Sequence, residues 1–197
     1  AEATGVAKEN IVISGTHTHA APSIYYEGDS IKPYEPVYMA AVVKAAQEAM
    51  ADRSAATLYS GSTQLPKLAF VRHYKMADGS VMSTNTSGFK ESEAVDYGME
   101  VDNTMELVKF DREGDKKDIL LMNWQAHPCF ADLYGEGTQI SADYIGVARS
   151  KIEQETGMDF IFFLGATGNQ STFSRLRKDK HGMDMMEYGK ALAQGAM

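Results

Sequence analysis

Ile119-Leu120-Leu121-Met122-Asn123-Trp124 and Asp159-Phe160-Ile161-Phe162-Phe163-Leu164 decide how this chain folds. The first run is apolar without a clean polar alternation, the pattern of a strand covered on both faces. The second reads as another buried strand. Between them, residues 143–155 read as a helix, with Asp143 placed to cap its N-terminus. Buried strands alternating with helices predict an α/β fold, a layered mixed sheet flanked by helices.

Working outward, residues 105–110 pair with 119–124 as a hairpin around the charged stretch 111–118. Residues 70–74 and 81–82 flank Ala77-Asp78-Gly79, whose Asp-Gly pair is a turn signal. Residues 56–60 read as a strand, 61–69 as a loop, and the polar, aperiodic 84–102 as a surface excursion. Near the N-terminus, Asn10-Ile11-Val12-Ile13-Ser14 is a β-branched run ended by Gly15, which reads as a short buried strand. Met39, Val42, Val43, Ala46, Ala49 and Met50 recur at helical spacing and predict an amphipathic helix over 34–53. A last helix is expected over 183–196.

The 197 residues suit one domain. Hydrophobic residues are 44% and charged residues 23%, with 17 Gly and 5 Pro, which excludes collagen-like and disordered chains. Nineteen Lys and Arg against 27 Asp and Glu leave a net charge of −8. Such a chain has no general attraction for nucleic-acid phosphate or anionic lipid, so no nucleic-acid partner is expected. The longest apolar stretch, within residues 160–164, falls far short of the ~20 residues of a membrane span. A single cysteine, Cys129, excludes an internal disulfide and any multi-cysteine zinc site. The chain opens on Ala1 with no leader pattern, so it is expected to begin after processing or inside a longer reading frame.

Three of the five histidines follow the strands expected at 10–14 and 119–124. His17 and His19 are one residue apart, and an extended backbone puts both rings on one side. Imidazole is the commonest neutral metal ligand, so the pair reads either as metal ligands or as polar loop residues beside Thr16 and Thr18. His127 leaves the core strand with Pro128 holding its backbone extended, where an α/β sheet places its site. The alternative for His127 is a bond to a strand-end carbonyl. Asp143 is either a carboxylate orienting one of these histidines or a helix cap.

Downstream, Gly165-Ala166-Thr167-Gly168-Asn169-Gln170-Ser171-Thr172 offers small residues and backbone N–H groups for an oxyanion. Ser171 is a candidate nucleophile and Asn169 a candidate orienting group, against the plain reading of turn residues. Arg72, among apolar neighbours, binds a polar substrate group or serves a structural ion pair, and His73 faces away from it. His181 reads as a solvated residue.

Ile13-Ser14-Gly15-Thr16-His17-Thr18-His19 with Pro22 resembles a segment of the neutral/alkaline non-lysosomal ceramidases. Asn123-Trp124 through His127-Pro128 resembles the strand that delivers their second zinc histidine. Ile140-Ser141-Ala142-Asp143-Tyr144 with Gly146, and Gly168-Asn169-Gln170-Ser171, are similar to later family segments in the same order. The resemblance implies a zinc-dependent hydrolase cleaving the N-acyl amide bond of ceramide-like lipids, that is, a role in sphingolipid metabolism. It implies His17 and His127 as zinc ligands, His19 and Arg72 as groups contacting the reacting carbonyl or water, and Ser171 as the family's serine. A small lipid amide would be the substrate, with transient membrane-surface contact and a secreted or periplasmic location.

Two departures stand out. Ala20-Ala21-Pro22-Ser23 replaces the family's glycine-rich continuation. The family completes its zinc shell with a Glu and a Tyr well beyond the serine loop, and the adjacent Glu187 and Tyr188 of the expected last helix are poor candidates because neighbouring helical residues diverge. Residues 1–197 are therefore expected to form a single, partial catalytic domain. A metallohydrolase of another amide or ester, and a non-catalytic domain with an incomplete metal site, are the competing readings.

Overall fold

The structure is a computed structural model and describes residues 1–22, 33–131, 140–176 and 182–197. Helix α1 spans Tyr34–Ala51, followed by strands β1 (Ala56–Gln64), β2 (Phe70–Val71), β3 (His73–Met76), β4 (Val81–Ser83) and β5 (Ala94–Tyr97). Strands β6 (Thr104–Arg112) and β7 (Ile119–Trp124), helix α2 (Asp143–Thr156), strands β8 (Asp159–Leu164) and β9 (Gln170–Ser171), and helix α3 (Met185–Ala196) complete the order.

The main sheet has the order β1-β6-β7-β8. The β1–β6 and β6–β7 pairs are antiparallel and β7–β8 is parallel, so the sheet is mixed. The parallel pair requires a crossover, and α2 supplies it. One face of the sheet carries the core: Met105, Leu120, Met122, Trp124 and Phe160 pack with Ile145, Ala148 and Ile152 of α2 and Tyr188, Leu192 and Ala193 of α3. Each such side chain contributes about 1.5–3 kcal/mol on burial. Gly157 ends α2 in the left-handed conformation, φ 73°, which only glycine adopts without strain.

A second sheet, β4-β3-β5, packs Tyr74 and Met76 against Leu176. The Asp-Gly hairpin forms as expected between β3 and β4. Strand β9 pairs antiparallel with β2, aligning Phe70 with Ser171.

Several expectations are corrected. Residues 10–14 form no strand: a 3-10 turn at Lys8–Asn10 precedes an irregular segment whose Val12 and Ile13 are 76% and 79% exposed. A β-branched run needs a pairing partner, and no described strand provides one. Helix α1 forms where expected but buries no residue, with Val37, Met39, Val42 and Val43 exposed. Strand β7 is buried on alternate residues only. Leu120, Met122 and Trp124 face the helices, while Ile119, Leu121 and Asn123 are half-buried on the other side. Strand β1 extends four residues further than expected because β6 pairs with it from Ala56 to Gln64. Residues 84–102 are more than an excursion, since β5 adds a third strand to the second sheet.

Candidate metal centre

The first histidines sit on a loop rather than a strand exit. His17 has φ 61°, in the left-handed region that costs a non-glycine residue energy. The turn is held from both sides: Thr18 Oγ1 donates to the Ser141 carbonyl at 2.8 Å, and Ser141 N donates to the Ala20 carbonyl at 2.8 Å. His19 N donates to the Pro128 carbonyl at 3.3 Å, joining this loop to the one carrying His127.

His127 lies three residues beyond the end of β7 and is 5% exposed. Beneath it lies an aromatic box. Trp124 Nε1 donates to the Tyr188 hydroxyl at 3.2 Å, and Tyr144 donates to the Ala126 carbonyl at 2.5 Å. His127 Nδ1 meets the Thr167 carbonyl at 3.1 Å. A carbonyl only accepts, so Nδ1 carries the proton and the Nε2 lone pair is left bare.

The three rings converge there. His17 Nε2 lies 3.0 Å and His19 Nε2 2.9 Å from His127 Nε2. The rings meet edge-on, with centroids 4.6–5.2 Å apart. Their ligating nitrogens all fall within 4.8 Å of one another. Nitrogens at 2.0–2.1 Å from a tetrahedral metal stand about 3.3 Å apart, so this donor set needs little adjustment to hold one. Neutral imidazoles anchored through the far nitrogen are what zinc-type ions select.

The electrostatics agree. Burial pulls the His127 imidazole down to about 4, with the Arg72 charge and the other two histidines adding to the effect. His17 is lowered by burial, then by His19 and Arg72. All three effects favour the neutral, metal-binding form.

His19, Arg72 and Ser171 line one cavity of about 250 Å³ beside the histidines, together with Tyr74, Cys129 and Arg175. Ser171 is 4% exposed, and its hydroxyl accepts from Phe173 N at 3.4 Å. Arg72 is set by its backbone: its N–H donates to the Asn169 carbonyl and its carbonyl accepts from Thr84 N. Its guanidinium has no ion-pair partner among the described residues. The β2–β9 pairing is what brings Arg72 and Ser171 to one wall.

Other candidates go elsewhere. Asn169 donates its side-chain amide to the Met99 sulfur at 3.0 Å and does not orient Ser171. Glu187 belongs to a capping box with Asp184 at the start of α3, and Tyr188 is buried against Trp124 and Leu68. Neither joins the histidine cluster, as expected. Asp143 is the first residue of α2, at φ 55°, and its carboxylate accepts from Ala131 N, outside the helix, and from Tyr144 N, in the helix's own first turn. His181 lies outside the described residues. Thr167 was not foreseen, because a backbone carbonyl leaves no mark in sequence; the glycine-rich loop was the only hint. At Gly165 a Cβ would meet Gln125 Cβ at 3.0 Å, so the loop passes tightly over the strand that presents His127.

No curated protein matches the chain. Among solved structures it is similar to a chain described as a ceramidase complexed with C2, at 18% identity and a TM-score of 0.62, covering 93% of this chain and 29% of that one. It is also similar to the neutral ceramidase of Pseudomonas aeruginosa, at 18% identity and a TM-score of 0.59, covering 93% of this chain and 30% of that one. The chain thus spans less than a third of the length of either. Its fold is theirs, and its own sequence matches the family model for the N-terminal part over residues 4–162. This chain belongs to the neutral/alkaline non-lysosomal ceramidase family.

Proposed function

We propose that this chain is the histidine-bearing part of a zinc-dependent hydrolase that cleaves the N-acyl amide bond of ceramide-like lipids. The convergence of three imidazole Nε2 atoms beside an arginine-lined cavity carries the reading. His17 and His127 hold the metal. Zinc, when bound, supplies Lewis acidity toward the amide carbonyl and lowers the pKa of its water to near 7.

The chain's own residues do the rest. The Thr167 carbonyl fixes His127 in the tautomer that leaves Nε2 free. His19, whose Nε2 stands 2.9 Å from that atom, holds and moves a proton beside the reacting group. Arg72 offers a cation to the oxygen that gains negative charge as the amide is attacked. Ser171 contributes a hydroxyl to the same wall. A second reading, a metallohydrolase of another amide or ester, draws on the polar character of that wall, which suits a polar head group.

The test is zinc content and N-acyl-sphingosine hydrolysis on the purified full-length protein. His17→Ala and His127→Ala should lose both metal and turnover, while His19→Ala should keep metal and lose turnover. Turnover without zinc, or an unaltered His17→Ala enzyme, refutes the reading. Hydrolysis of other amides or esters in preference to N-acyl-sphingosine selects the second reading.

A further inference from the structure

Asp143 is 2% exposed, and its carboxylate serves no ion pair among the described residues. It is also strained, at φ 55°. A buried charge in a strained backbone persists only where the surroundings hold it in place. Its neighbours show what is being held. Its Oδ2 accepts from Ala131 N at 2.9 Å and its Oδ1 from Tyr144 N at 2.7 Å, with the Phe130 backbone adding a further interaction. Residues 130–131 continue directly from His127.

On the other side, Asp143 N donates to Ser141 Oγ at 3.0 Å. The Ser141 carbonyl accepts from Thr18 Oγ1, and Ser141 N donates to the Ala20 carbonyl. Thr18 lies between His17 and His19. The three residues Ser141–Asp143 therefore bond one histidine loop through Ser141 and the other through Asp143. The two loops are more than a hundred residues apart in sequence. Among the described residues a further, longer backbone bond, from His19 N to the Pro128 carbonyl at 3.3 Å, also joins them.

We propose that Asp143 is the positioning residue of the centre: its buried carboxylate, set in a left-handed backbone turn, clamps the His127 loop to the His17–His19 loop and so fixes the spacing of the three Nε2 atoms. This rests on the reading of His17 and His127 as metal ligands with His19 beside them. The strain at Asp143 aims the carboxylate back across the first turn of α2 toward Ala131, which an ordinary first helical residue does not do.

Asp143→Asn is the discriminating change. Asparagine tolerates the left-handed conformation, so the backbone is kept. It offers one oxygen instead of two, so its amide NH2 faces an N–H donor on one side. Two readouts are taken on the full chain: zinc affinity, and hydrogen exchange of the metal-free protein. Zinc should bind about 10- to 100-fold more weakly, the usual loss when a group orienting a ligand is removed. Exchange should quicken over 127–131 and 17–20 and stay unchanged in β6 and β7, which a general loss of stability would not spare. If Asp143→Asn does not fold, Thr18→Val cuts the clamp at its other end and should give the same two changes. Wild-type exchange in both loops of the variant overturns the proposal. A wild-type chain that binds no zinc refutes the metal reading by itself, and the exchange result still decides the clamp.

Discussion

Gly189 stands on α3 where that helix crosses α2. A Cβ at this position would lie 2.5 Å from Val147 Cβ, 2.7 Å from the Tyr144 carbonyl oxygen and 2.8 Å from Val147 Cγ1. Two effects oppose each other in Gly189→Ala. Alanine is favoured over glycine in a helix interior by about 0.8–1.0 kcal/mol. Overpacking costs about 1–3 kcal/mol. Here the obstructing atoms are a backbone oxygen and the Cβ of a branched residue, which no rotamer change moves, so the helices must separate and the cost lies near the upper figure. The net loss is about 2 kcal/mol. For a chain of this size that lowers Tm by about 4–8 °C. Gly61→Ala is the control: nothing lies within 4 Å of the added methyl, and replacing a strand glycine should stabilise by about 0.5–1 kcal/mol. Thermal unfolding of the full chain, followed by circular dichroism, reads both. A Gly189→Ala variant that melts at or above the wild-type temperature refutes the argument that this crossing requires glycine.

Tyr188→Phe removes the acceptor of Trp124 Nε1 and the donor to the Leu68 carbonyl, stranding two buried polar groups at about 1–3 kcal/mol each. Its denaturant midpoint should fall with the slope unchanged. Hydrogen bonds from Lys116 and then Arg112 hold Asp52 down to about 2. A carboxyl lowered on folding contributes stability above its ordinary value of 3.8 and loses it as pH falls toward 2. Asp52→Asn should therefore flatten the acid unfolding curve between those values, and an unchanged curve contradicts the assignment. Arg72→Gln should keep wild-type zinc content while kcat falls on the order of 100-fold, the loss expected for a charge-stabilising donor. Lost zinc in that variant would make Arg72 a structural residue.

The sheet was legible because Ile119–Trp124 and Asp159–Leu164 are apolar runs joined by a helical stretch, and the parallel β7–β8 pair with α2 between them follows from that order. What covers the sheet was not legible. An apolar run states a preference for burial without naming its partner, so β7 was expected to be covered on both faces and is covered on one. The β-branched residues 11–13 failed for the same reason. At the site, His17, His19, Arg72, His127 and Ser171 could be named because imidazole, guanidinium and hydroxyl groups are recognisable by type. Their convergence could not, since it depends on backbone events. His17 adopts a left-handed turn, the Thr167 carbonyl anchors His127, and β9 pairs with β2. Asp143 was read as either an orienting carboxylate or a cap, and its carboxylate accepts both from Ala131 N on the His127 side and from Tyr144 N at the helix start.

The central claim is that His17 and His127 form a metal centre together. X-ray absorption at the zinc edge on the zinc-loaded full chain tests it most directly. The account predicts stoichiometric zinc with at least two imidazole nitrogens at about 2.0–2.1 Å, and loss of that shell in His17→Ala and in His127→Ala. Zinc that is not retained, or an absorption spectrum that neither substitution alters, contradicts it.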